Sequence, residues 1–123
     1  MREILGLTQE KPQTRRRWFH DDYFDLFVSQ SNDGKLDGFQ LCYGLDSTER
    51  AVVWDRERGY FHDGTDLLRA EDIAGRFDAV ARALPGDVAR AVIKRLQEFA
   101  ARGVSAPTRR KRFRRADWQQ RQA

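Results

Sequence analysis

The apolar residues of this chain change their period once, near Glu71, and that single change limits the fold more than any other feature. Before it, large side chains alternate. In "YFDLFVSQ", Phe24, Leu26 and Val28 alternate with Tyr23, Asp25 and Phe27, the repeat of a β-strand, whose successive side chains point to opposite faces. "GFQLCYG" repeats the pattern, with Phe39, Leu41 and Tyr43 on one side and Gln40 and Cys42 on the other. "RAVVWD" and "YFHDG" supply two more such segments. The separators are turn-formers: "SNDGK" over residues 31–35, "LDSTE" and "ERG". Asn-Asp-Gly supplies the positive φ that hairpins need.

After Glu71, Ile73, Phe77, Val80 and Leu84 recur every three or four residues along one stripe of a helix. Glu71 and Asp72 fall in its first turn, where the helix dipole favours negative charge. "PGD" breaks that helix. Asp87 is then read as the N-cap of a second helix, which presents Val88, Val92, Leu96 and Phe99 and stops at Gly103. Strands followed by helices predict an α+β fold. The expected form is an antiparallel meander of four to five strands with two C-terminal helices packed on one face. The expected organisation is a leader over residues 1–14, an α+β domain over 15–103 and a flexible basic tail over 104–123.

Composition sharpens this division. Ten aromatic residues lie between Trp18 and Phe61, so the hydrophobic mass sits in the strand half. The formal charge of +4 is unevenly spread. Residues 1–106 hold 16 Lys/Arg against 18 Asp/Glu, whereas residues 107–123 hold seven cations and one acid. A faintly acidic body thus carries a strongly basic end, which marks an interaction arm more than a uniformly basic face. Cys42 is the only cysteine, so no intrachain disulfide and no Cys-rich zinc site can form. The start of the chain lacks the apolar run of a signal peptide, and no stretch approaches a membrane span. A cytoplasmic protein is the expectation.

"RRWF", "FDLFV", "GFQLCYG" and "AVVWD", followed by a helix pair, resemble a group of short bacterial proteins of unassigned function. The likeness spans roughly residues 16–99 and lies in core-forming positions. It implies a shared fold; it brings no activity, cofactor or site residue with it.

Signatures of catalysis are sparse. The two histidines sit in matching contexts, "FHDD" and "FHDG". If the strand ends are neighbours, His20, His62 and an aspartate could hold a metal in a two-histidine, one-carboxylate site, or divide acid and base roles in a hydrolase. The plainer alternative is that His-Asp ends a strand and the aspartate accepts turn hydrogen bonds. There is no phosphate loop, His-Glu-x-x-His or Gly-x-Ser-x-Gly. Cys42 reads as a small buried hydrophobe. No cofactor is expected, and an enzyme is the weaker reading.

Two surfaces remain. Large side chains occupy both sides of the strands, and two helices cover one sheet face. Phe27, Val52 and Trp54 are assigned to the other face, to be covered by the leader, by Phe113 and Trp118 of the tail, or by a second copy in a homodimer. The second surface is "RRKRFRR": Arg109, Arg110, Lys111, Arg112, Arg114 and Arg115 around Phe113, with Trp118 just beyond. Arginine suits bidentate phosphate contacts and stacking on bases, and the aromatics add stacking surfaces. RNA is therefore the first expected partner and an acidic protein surface the second.

Overall fold

The structure, a computed structural model, describes residues 1–7, 9, 11–45, 49–63 and 70–102. Six strands, β1 (Arg2–Ile4), β2 (Thr14–His20), β3 (Phe24–Ser31), β4 (Leu36–Tyr43), β5 (Arg50–Asp55) and β6 (Gly59–Asp63), form one sheet in chain order. Every neighbour is antiparallel. Helix α1 (Ala70–Val80) runs into a 3-10 turn at Ala81–Ala83, and α2 (Gly86–Arg102) follows. The α+β class and the meander-then-helices order are as expected, but the strands number six rather than four to five.

Both additional strands precede Phe24. "TRRRWFH" shows no apolar alternation, since cations fill its first half, yet it pairs along its length with β3. Asp21 makes the turn between them: its Oδ1 accepts the backbone N–H groups of Tyr23 (2.8 Å) and Phe24 (2.7 Å). The aspartate after His20 thus ends a strand and shapes a turn. Within the segment read as a leader, Arg2–Ile4 is the edge strand against β2. Glu3 holds it there, accepting from Arg17 Nε (2.9 Å) and Nη2 (2.8 Å). Such bidentate pairs are short, charge-assisted and geometrically specific.

The β3–β4 hairpin turns at Gly34, whose φ of 84° is costly for any residue with a Cβ. On β4, Gly38 lies so close to β5 that an added Cβ would stand 3.0 Å from the Trp54 carbonyl oxygen. Asp87 is a first-turn residue of α2 rather than its cap, because the helix already begins at Gly86. Its carboxylate accepts from Gln30 Nε2 at 3.4 Å, tying the start of α2 to β3. At the other end Phe99 packs on Tyr60 and His62, so α2 crosses the sheet from β3 to the β6 edge. Gly103, expected as its C-cap, lies outside the described residues.

Pairing register decides which residues share a face, because directly opposed residues point the same way. Phe19, Leu26, Leu41, Val52 and His62 form one continuous cross-strand row. Arg17, Val28, Phe39, Trp54 and Tyr60 form the next on the same side. This side meets Ile73, Phe77, Val88, Val92, Leu96 and Phe99 of the helices in the main core. Val52 and Trp54 are therefore in that core, 0% and 6% exposed, and not on the far face to which they were assigned. Alternation separates the two sets of side chains on a strand without saying which set meets the helices. Phe39 and Leu41 opposite Trp54 and Val52 settle that question. Phe27 alone of the three proposed dimer residues lies on the far face.

Candidate functional site

The face of the sheet turned away from the helices carries the most unusual chemistry among the described residues. It holds a second, smaller cluster, Trp18, Phe27, Cys42 and Ala51, with Ile4, Leu7 and Leu45 packed against it. Trp18 on β2 stacks on Phe27 of β3 with ring centroids 5.2 Å apart. Two polar residues, Asp25 and Gln40, are buried there at 1% exposure each. Burying a carboxylate is costly unless it is hydrogen-bonded. Asp25 Oδ1 accepts from the Trp18 indole N–H at 2.8 Å and meets His20 Nδ1 at 2.6 Å.

An ionised Asp25 only accepts, so with it Nδ1 carries the hydrogen and Nε2 is the nitrogen turned to other partners. The His20 side chain is 35% exposed, at the β2 end. An oriented histidine backed by a buried carboxylate is the base-and-orienter half of a hydrolytic triad. Its geometry here supplies no nucleophile from the one thiol. Cys42 is paired with Asp25, not with His20, so β3 lies between them. Two strand spacings make that separation about 10 Å. Cys42 itself is buried, accepting from Gln40 Nε2 at 3.4 Å.

His62 belongs to the other side of the sheet. It is buried in the helix-side row, in a 2.5 Å hydrogen bond with the Tyr43 hydroxyl, their rings nearly parallel. The two histidines thus sit on opposite faces and four strand spacings apart, about 19 Å. Metal–nitrogen bonds are about 2 Å long, so His20 and His62 cannot ligate one ion. Among the described residues no group of three His, Cys, Asp or Glu side chains is placed to hold a metal.

Several cations of the body are engaged internally. The Arg95 guanidinium lies 4.2 Å from the centre of the Trp54 ring and donates to Glu98 at 3.0 Å. Glu98 also accepts from Tyr60 at 2.7 Å. Burial, with that bond second, pushes the Tyr60 phenol up to about 12, while the same bond holds Glu98 below the usual carboxylate range. Arg76 covers the Tyr23 ring at 3.7 Å. The arginine-rich run with Phe113 and Trp118 lies outside the described residues.

Reasoning from sequence placed Asp25 in a strand but did not single it out. The available signal was its parity: an acid on the same side as Phe27, inside "FDLFV", must be buried and therefore partnered. No family model, curated protein or solved structure matches the chain. No described helix is long and apolar enough to cross a membrane.

Proposed function

We propose that this chain is a binding module rather than an enzyme, and that Arg109, Arg110, Lys111, Arg112, Arg114 and Arg115 contact RNA phosphates. The observation that carries this reading is six cations in seven positions, five of them arginine, on a body of net charge −2. So dense a run resists packing in a core, and arginine matches phosphate in a bidentate geometry. Arg17, Arg95 and Arg76 of the body are already engaged with Glu3, Glu98, Trp54 and Tyr23, and no other stretch of the sequence carries six cations in seven positions.

Counterion release gives the test. Each phosphate contact on a single strand adds about −0.7 to the slope of log affinity against log salt. Four to six contacts predict a slope of about −3 to −4 for a single-stranded RNA oligonucleotide. Full-length protein carrying Arg109→Gln, Arg110→Gln and Arg112→Gln should lose about 2 from that slope at unchanged circular dichroism. An unchanged slope rules the tail out as the RNA contact. Nuclease-resistant recovery of one stoichiometric acidic protein would assign the tail to a protein groove instead.

A further inference from the structure

The centre of the face opposite the helices is buried within a single chain. Phe27, Cys42 and Ala51 are 1%, 2% and 0% exposed on β3, β4 and β5. Their cover therefore comes from the chain itself and not from a second copy. Ile4 and Leu7 supply part of it from the β1 edge, and Leu45 another part from the end of β4. On the opposite flank, Val53 and Phe61 of β5 and β6 continue the row through Phe27 and Gln40 and are half-buried.

We propose that the C-terminal segment around Phe113 and Trp118 docks on this face, entering from the β6 edge, and completes its cover. Three observations converge on that occupant. Phe99 against Tyr60 and His62 places the last turns of α2 beside β6, so residues 103–123 start from the edge nearest Val53 and Phe61. Reach is sufficient: eleven residues from Arg102 to Phe113 span up to about 36 Å extended, against about 24 Å for the whole six-stranded sheet. Composition fits too. Beyond the described residues, the only aromatic side chains are Phe113 and Trp118, and an aromatic anchor buries more area than any other side chain. Docking makes these two residues anchors rather than base-stacking groups and leaves the six cations as the phosphate contacts. It does not depend on RNA: docking and RNA binding can fail separately.

The test uses the full chain without nucleic acid. A photoreactive benzoylphenylalanine replaces Phe113 and, in a second protein, Trp118. Isotopically heavy and light chains are mixed before irradiation. Cross-links within one chain to peptides carrying Phe27, Gln40, Val53 or Phe61 are the expected result. Heavy-to-light cross-links to those peptides would hand the face to a second copy and overturn the proposal. Cross-links confined to α1 and α2, or none within the chain, would overturn it as well. Cys42, the only thiol and a member of this face, gives an independent readout in Phe113→Ser and Trp118→Ala proteins. Its labelling by a thiol reagent under native conditions should accelerate at least tenfold at unchanged circular dichroism; equal rates in wild type and both variants would refute docking.

Discussion

Glu3 shows how much one side chain decides at the sheet edge. A three-residue strand contributes few ladder hydrogen bonds, and the Arg17 guanidinium is what ties it to β2. That hydrogen bond, opposed by burial and helped by the Arg17 charge, holds the Glu3 carboxyl below its ordinary value of 4.5. A carboxylate with a lowered folded-state pKa stabilises the fold above the ordinary value, and the contribution fades as pH falls through the folded one. Glu3→Gln should thus cost about 1.5–3 kcal/mol at neutral pH, the worth of hydrogen bonds to a charged group. The difference from wild type should shrink below pH 4.5 as Glu3 takes up its proton. Urea unfolding at pH 7 and at acid pH measures both; a gap that persists in acid would mean that charge is not the cause. On the buried side, one Asp25 side-chain oxygen meets both the Trp18 indole and the His20 imidazole.

At the scale of elements, β5 shows why alternation alone is insufficient. Ala51 and Val53 point one way, Val52 and Trp54 the other, and both sets are apolar. The helices meet the set that contains Trp54, which lies against Phe39 with Arg95 over its ring. Trp54→Glu therefore acts on the core and not on an interface. Losing a buried tryptophan costs about 3–5 kcal/mol, and an unpartnered buried charge adds to that. Thermal melting should show loss of the folded state or a fall in Tm of many degrees. A variant that melts like wild type would contradict the register described for β4 and β5.

For the whole molecule, two clusters on two faces make the sheet the centre of the structure instead of its wall. The larger lies between sheet and helices and the smaller on the far side. The homodimer expected from Phe27, Val52 and Trp54 loses its argument, since two of these residues meet the helices and the third is shielded within one chain. Light scattering at high micromolar concentration should return the 14.4 kDa of a single chain. Twice that mass would require an interface elsewhere on the surface.

Period and turn chemistry are local properties, and they were readable without coordinates. The meander with its "SNDGK" turn, the helix stripes through Ile73–Phe77 and Val88–Phe99, and the burial of Cys42 were legible for that reason. β1 and β2 were not, because β1 is only three residues long, cations fill the first half of β2, and pairing, not propensity, makes both of them strands. Which side of β5 meets the helices, the bond between His20 and Asp25, and the distance between the two histidines all depend on register. Register is a relation between segments distant in sequence, and a shift of one residue reverses every face. It is therefore decided by the tertiary structure alone.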